Sequence, residues 1–294
     1  MKPWHGVLVA TALPYDEDLG VDLGRFQEHV SWLGANGCHG VTPNGSLGEY
    51  QVLTDDERAS VVRAAVEAAP DGFQVIPGVA AYGVQEAITW TEEAAKDGAS
   101  AVLLLPPNAY RADEAAILFH YAEVAKVGLP VVAYNNPIDT KVDLSPSLLA
   151  RLHAEGSIVA VKEFSGDPRR GYEIAELAPE LDVLVGSDDV TLELMLSGAV
   201  GWVAGYPNAF PASCVELYQA CSDHDLDRAL PLYRLLHPLL RWDSKVEFIQ
   251  AIKLSMDIAG RFGGPCRPPR QPLTEEQAAI VRMSTEKAIT EGCC

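Results

Sequence analysis

Lys162 closes the apolar run Ile158-Val159-Ala160-Val161. A lysine at the end of a buried strand presents its amine to whatever the strand ends surround. Partial loss of hydration there lowers its pKa from the reference value of about 10.4 and makes the neutral, nucleophilic amine more accessible. Such an amine adds to a ketone and forms a Schiff base. Position alone leaves a second reading equally open, a lysine snorkelling from a strand end or paired with a carboxylate. Tyr134 closes the preceding run, Pro130 to Tyr134. Neighbouring parallel strands lie about 4.8 Å apart, so the phenol and the amine can meet, and a phenol there can move protons during imine and carbanion steps. Taken alone, Tyr134 also reads as an aromatic lid over a core.

Two further segments carry polar groups at strand ends. Gly45-Ser46-Leu47-Gly48-Glu49 offers small residues, free main-chain N–H groups and the Ser46 hydroxyl, a set that can hold a carboxylate; a tight glycine turn is the plainer alternative. Asn44-Gly45-Ser46 also matches a glycosylation sequon, read here as coincidence. Asp188 and Asp189 could accept hydrogen bonds from substrate hydroxyls, or simply start a helix. With no histidine near them and no HxH or HExxH around His39, no metal site is expected. Cys214 and Cys221, seven apart, read as core spacing. Lys245 and Lys253 read as surface or helix-packing residues.

These positions need elements to hold them. Short apolar runs recur at Gly6–Ala12, Gly40–Thr42, Gln74–Pro77, Ala101–Leu105, Pro130–Tyr134, Ile158–Lys162, Val183–Gly186 and Gly201–Ala204. They are rich in Val, Ile and Leu without strict alternation, as suits parallel strands buried on both faces. Amphipathic segments lie between them, at Leu23–Ala35, from Thr54-Asp55-Asp56-Glu57 with its capping-box spacing, and at Val84–Lys96, Asp113–Lys126, Ser145–His153, Pro168–Leu177, Val190–Leu196 and Pro211–Ser222. Eight strand–helix units of roughly 25–30 residues predict an α/β fold, a (β/α)8 TIM barrel. A doubly wound sheet is the competitor, but GxGxxG and GxxxxGK[ST] are both missing. Beyond residue 222 the strand signal stops, and Leu226–Leu240, Lys245–Ile258 and Thr274–Glu291 predict a three-helix extension. The expected division is therefore a catalytic barrel over 1–222 and a helical extension over 223–294.

Composition narrows the partners. The 294 residues are 48% hydrophobic and 21% charged, a globular profile. A net charge of −19 argues against nucleic acid or an anionic membrane, which need clustered cations. The six cysteines form no CxxC pair and no disulfide or zinc spacing. Cys293-Cys294 reads as an exposed, frayed end rather than a prenylated tail. The Val7–Leu13 run is too short for a membrane span and has no signal-peptide flanks, so a cytoplasmic protein with reduced thiols is expected.

Gly45-Ser46-Leu47-Gly48-Glu49, Tyr134-Asn135-Asn136-Pro137 and Val161-Lys162-Glu163-Phe164-Ser165-Gly166-Asp167 occur in that order. Together they resemble the dihydrodipicolinate synthase / N-acetylneuraminate lyase family, class I barrel lyases that work through a lysine Schiff base. The resemblance spans nearly the whole chain and implies roles by position. Lys162 becomes the imine-forming lysine and Tyr134 the proton-transferring tyrosine. Gly45, Ser46 and the Leu47 N–H become the site of a 2-oxo acid carboxylate, with Ser46 also in a catalytic role. Gly186, Asp188 and Gly205 become residues lining the substrate tail. It further implies no cofactor, a small-molecule 2-oxo acid or cyclic imine substrate, and a homotetramer or homodimer.

Departures from the family pattern shape the expected reaction. The synthase branch carries two threonines where this chain has Ser46-Leu47, a paired-tyrosine motif where it has Ala109-Tyr110, and a carboxylate-binding arginine where it has Asp139. These three positions read against dihydrodipicolinate synthase itself. The Ser46-Leu47 pair and Trp242-Asp243-Ser244-Lys245 look similar to bacterial relatives in hydroxyproline catabolism, which deaminate 1-pyrroline-4-hydroxy-2-carboxylate to 2,5-dioxopentanoate. That deaminase is the expected activity. An aldolase or dehydratase of a 2-keto-3-deoxy sugar acid is the rival, with Asp188, Asp189 and Asn208 as hydroxyl binders. A catalytically silent ligand sensor is the alternative from another class, and the presence of both Lys162 and Tyr134 argues against it. A metal-dependent barrel enzyme would need His and carboxylate ligands at several strand ends, which the sequence lacks.

Overall fold

The eight apolar runs form the parallel strands β1 (Gly6–Ala10), β2 (Gly40–Thr42), β3 (Gln74–Val75), β4 (Val102–Leu104), β5 (Val131–Asn135), β6 (Ala160–Glu163), β7 (Asp182–Val185) and β8 (Gly201–Ala204) in a computed structural model that describes residues 1–294. Their order is β3-β2-β1-β8-β7-β6-β5-β4. The two ends meet through a parallel bridge between Gly78 and Leu103. There Leu103 N donates to Pro77 O at 2.9 Å and Val79 N donates to Leu103 O at 3.0 Å. The chain is thus the expected (β/α)8 barrel with C-terminal helices.

Helices follow the strands as α1 (Leu23–Ala35), α2 (Asp55–Ala68), α3 (Val84–Asp97), α4 (Glu114–Ala125), α5 (Pro137–Thr140), α6 (Pro146–Ala154), α7 (Arg169–Leu177), α8 (Thr191–Leu196) and α9 (Pro211–Ser222). Thr54 and Glu57 close the capping box that starts α2. Gly98 ends α3 in the left-handed region at φ 96°, which a residue without Cβ adopts at least cost. The short α5 falls outside the segments predicted as helices. Asn136 caps it by accepting from Asp139 N at 3.1 Å, with Pro137 at its first position.

The pleat sorts each strand into two faces. Leu8, Leu103, Val132, Tyr134, Ala160, Leu184 and Val203 point inward and pack with Trp4, Ile76 and Phe164. Val7, Val9, Val102, Leu104, Val131, Val161, Val183, Val185 and Trp202 point outward into the layer beneath the helices. The C-terminal helices α10 (Leu226–Leu240), α11 (Phe248–Ile258) and α12 (Glu275–Thr290) contribute Leu236, Ile249, Ile252, Met256 and Val281 to that same outer layer. No helix is long and apolar enough to cross a membrane.

One local expectation is corrected. The chain end is pinned, not frayed: Ser213 N donates to Cys294 O at 2.9 Å, Cys294 N donates to Ser213 Oγ at 2.9 Å, and Cys293 is buried. His39 precedes β2, and its Nδ1 accepts from Val7 N at 3.1 Å. Lys253 is fully buried inside α11.

Gly78 fixes the approach of the β3 end to the loop after β2, because a methyl group there would sit 2.3 Å from the Asn44 carbonyl oxygen. Gly83 has open space at the same test. Gly78→Ala should therefore destabilise by about 1–3 kcal/mol, while Gly83→Ala should change stability by less than about 1 kcal/mol. Urea denaturation midpoints at constant m-value check both; equal midpoints would count against the packing argument.

Candidate active site

A cavity of about 590 Å³ opens at the C-terminal ends of the strands, where barrels of this kind place their chemistry. Lys162 lies in its lining because β6 alternates: Ala160 and Lys162 face inward, Val161 and Glu163 outward. Glu163 is held behind the strand, where its two carboxylate oxygens accept from Asn135 Nδ2 at 2.9 Å and Ser165 N at 2.6 Å.

Tyr134 and Lys162 are register partners on β5 and β6. The Lys162 Nζ stands 4.3 Å from the Tyr134 ring centroid and 5.7 Å from that of Phe164. The two rings meet edge to face, 6.2 Å apart at 88°. Lys162 is only 6% exposed and makes no ion pair. Burial therefore pulls its pKa down to about 8, against the upward pull of Asp243 and Asp188. An amine in that condition is a nucleophile near neutral pH. Burial also pushes the Tyr134 phenol far above its usual range, with the charge of Asp243 adding to the effect. Tyr134 thus keeps its proton and can donate it; its oxygen accepts from Asn136 Nδ2 at 3.3 Å.

Gly45, Ser46 and Leu47 form part of the opposite wall. The main-chain N–H groups of these three residues donate to nothing within the chain, nor does the Ser46 hydroxyl. The ends of this loop are held hard. Asn44 and Glu49 take left-handed backbone at φ 55° and 54°, and Asn44 Nδ2 donates to Arg58 O at 2.9 Å. Glu49, 1% exposed, accepts from Lys253 Nζ at 2.9 Å and from Arg267 N at 2.9 Å. Its partners lie more than 200 residues away in sequence, so nothing in the Gly45–Glu49 pattern foretold them. Asn44 is buried and hydrogen-bonded, which bars the sequon from modification in the folded chain.

Other expected residues fall elsewhere. Gly205 lines the cavity, but Gly186 and Asp188 do not. Gly186 packs against the Glu163 carbonyl, where a methyl group would lie at 2.4 Å. Asp188 is fully buried and spends its carboxylate on Trp202 Nε1 (2.9 Å), Gly205 N (3.0 Å) and Tyr206 N (3.0 Å). Burial raises its pKa to about 6 against those donors. Asp189 accepts from Ser244 Oγ at 2.8 Å. Asn208 is enclosed by Ala10 O, Gly205 O, Ala12 N and His29 Nε2. None of Asp188, Asp189 and Asn208 is a cavity wall residue, so they are not positioned to read substrate hydroxyls.

The lining also holds residues that the sequence did not place at the site. Asp243, Lys245 and Arg270 come from the C-terminal segments. Arg58 of α2 sits 4.3 Å from the Trp90 ring centroid and donates to Ala80 O at 3.1 Å. Asp139 stands exposed at the β5 turn, accepting from Asn136 Nδ2 at 2.9 Å. The further cations of the cavity therefore come from α2 and the C-terminal segments, not from that turn.

The family model described as the dihydrodipicolinate synthetase family matches residues 3–288. The 4-hydroxy-tetrahydrodipicolinate synthase of Methanosphaerula palustris is 33% identical over 286 residues, covering 95% of this chain and 97% of that protein. Its namesake from Methanothrix thermoacetophila is 34% identical over 286 residues, covering 95% of each. Among solved structures, the chloride-inhibited dihydrodipicolinate synthase of Acinetobacter baumannii, complexed with pyruvate, superposes with a TM-score of 0.92 at 28% identity. That match covers 97% of this chain and 98% of the other.

The Glu49–Lys253 pair gives a test of how the Gly45–Leu47 loop is held. Lys253→Met leaves a buried carboxylate with one donor fewer and no counter-charge, so stability should fall by about 3–5 kcal/mol. The double variant Glu49→Gln/Lys253→Met should recover part of that loss. Thermal and urea unfolding measure it; a single variant as stable as the parent contradicts the pairing argument.

Proposed function

This chain belongs to the dihydrodipicolinate synthetase family, and on that premise we propose that it is a lyase whose Lys162 forms a Schiff base with a 2-oxo acid or a cyclic imine carboxylate. One observation carries the reading: a buried amine without an ion pair, beside a protonated phenol, in a cavity whose other wall offers unspent N–H groups. The Gly45–Leu47 N–H groups and the Ser46 hydroxyl hold the carboxylate of the substrate. Lys162 adds to the neighbouring carbon. Tyr134 supplies and recovers protons above it.

The substrate that fits best is 1-pyrroline-4-hydroxy-2-carboxylate. It carries one carboxylate, and Asp139 stands at the β5 turn where a second carboxylate would need a cation. Attack of Lys162 on C2 opens the ring and frees an amine on C5. Loss of a C3 proton and expulsion of the C4 hydroxyl as water leave a conjugated imine. Tautomerisation moves unsaturation to C5, so that the free amine becomes an imine. Two hydrolyses then release ammonia and 2,5-dioxopentanoate and regenerate Lys162. One water lost and two consumed balance the overall uptake of one.

The sugar acid aldolase reading loses its support because Asp188, Asp189 and Asn208 are engaged away from the cavity. The synthase activity named for the relatives meets Leu47, which has no hydroxyl, at a wall position. A substrate panel tests the choice: the hydroxypyrroline carboxylate, keto-deoxy sugar acids, N-acetylneuraminate, and pyruvate with aspartate semialdehyde. Ammonia should appear with the first alone; condensation of the last pair would replace the deaminase by a synthase.

Covalent trapping tests the lysine. Borohydride with pyruvate should add mass irreversibly at Lys162, and Lys162→Ala should trap nothing while remaining folded. An adduct mapping to Lys245 or Lys253 would overturn the assignment. Because the amine titrates at about 8, trapping should climb about tenfold per pH unit below that value and stop climbing near it. A profile still climbing toward pH 10 would place the reactive amine in water.

A further inference from the structure

The C-terminal segment between α10 and α11 sends one acid into the barrel mouth. Trp242 N donates to Leu239 O at 2.8 Å and Asp243 N donates to Leu240 O at 3.0 Å, so the chain turns sharply as α10 ends. Trp242 is buried, and Ser244 Oγ ties the far side of the turn to Asp189 Oδ1 at 2.8 Å. Between these anchors Asp243 is 8% exposed and lines the same cavity as Lys162. Its Oδ2 accepts from Asp188 N at 3.1 Å. Its Oδ1 accepts nothing from the chain and lies 3.1 Å from where a methyl group on Gly205 would be. Gly205 thus clears the space into which that oxygen faces.

We infer that Asp243 is a catalytic acid for Lys162, holding the proton that must be given to the group expelled from C2 when the imine forms. The inference rests on the lysine-imine reading above, and it does not depend on which 2-oxo acid or cyclic imine is the substrate.

Two neighbouring carboxyls decide between them which carries charge. Asp188 receives three N–H donors, from Trp202, Gly205 and Tyr206. Asp243 receives one. Hydrogen bonds to a carboxylate favour its ionised form, and a nearby like charge disfavours a second ionisation. Asp188 therefore keeps the charge and Asp243 keeps the proton. Burial pushes Asp243 well above the usual carboxylate range, Asp188 adds to that rise and Lys162 opposes it. The other titratable groups facing Asp243 are Tyr134, Asp189 and Tyr206.

The step balances. Neutral Lys162 adds to C2, and an internal proton shift gives the carbinolamine from a ketone, or the geminal diamine from a ring imine. The bond from C2 to the departing oxygen or nitrogen then breaks. Asp243 passes its proton to that atom, and the Lys162 nitrogen lone pair closes the C=N bond. An iminium and the Asp243 carboxylate remain as an ion pair. When water later adds to C2 in hydrolysis, its proton returns to Asp243. Within the Gly45–Leu47 loop, Leu47 has no hydroxyl and Ser46 is taken up by the substrate carboxylate, and Tyr134 is occupied by proton transfer at the carbon side.

Trapping kinetics with pyruvate and cyanoborohydride, read by mass at Lys162, test the assignment. Asp243→Asn is isosteric and keeps the acceptor for the Asp188 N–H, but it has no proton to give. It should trap about 10²-fold more slowly than the parent. The parent's rate should rise with pH as Lys162 loses its proton and fall again as Asp243 loses its own; Asp243→Asn should lack the falling limb. Added formate should restore part of the rate in Asp243→Ala and none in Lys162→Ala. Asp243→Asn trapping at the parental rate overturns the inference, as does a slow Asp243→Ala that formate does not help and whose pH profile still falls. If the variants do not fold, a parental profile with no falling limb overturns it alone. Absence of any adduct in the parent, by contrast, removes the lysine reading itself.

Discussion

The Lys162 amine is buried 4.3 Å from the centre of an aromatic ring, without an ion pair. Placing a cation there is costly, because the water it loses is not replaced by a carboxylate in contact. The neutral form is the cheaper one, and its pKa falls to about 8. That single imbalance organises the rest of the mouth. Tyr134 and Phe164 supply low-polarity walls, and the acids near the amine stand back in Coulombic reach without pairing to it. A contacting carboxylate at this position would favour the charged amine and remove its nucleophilicity.

Around that amine the protein separates acids by the donors each receives. Asp188, at the end of β7, is tied into the β8 turn by three N–H groups and serves to hold Gly205 and Tyr206 in place. Asp243, one turn beyond α10, receives a single N–H and faces the cavity. The same chemical group therefore does two jobs, one structural and one facing the ligand. Glu163, behind β6, is a third case: Ser165 and Asn135 satisfy it out of the cavity altogether.

The barrel and its inward lysine were legible because both depend on local pattern. Runs of Val, Ile and Leu with glycines at helix ends define the strands, and β6 then sends Lys162 inward by simple alternation. Tyr134 followed from the same rule on β5. What failed to show were partners brought together over long separations. Asp188 looked available because a carboxylate at a strand end usually is; the donors that consume it lie 14 to 18 residues on, in the β8 segment. Lys253 looked like a packing residue because its partner Glu49 is 204 residues away. Asp243 was visible only as part of Trp242-Asp243-Ser244-Lys245, and its aim into the mouth depends on how α10 ends.

The C-terminal helices therefore do more than cover the outside of the barrel. Lys253 of α11 and Arg267, just beyond it, secure Glu49 and so fix the loop whose Gly45–Leu47 N–H groups face the cavity. The turn before α11 places Asp243 over Gly205 on the Lys162 side. Both halves of the site are thus set from one stretch of chain, 241–270. A shift of that stretch would move the Gly45–Leu47 loop and the acid together relative to a lysine that the barrel strands hold still. Residues that discriminate among substrates are then best sought where this stretch meets the strand ends, because the barrel face that positions Lys162 has no freedom to adjust without breaking β6 from its neighbours.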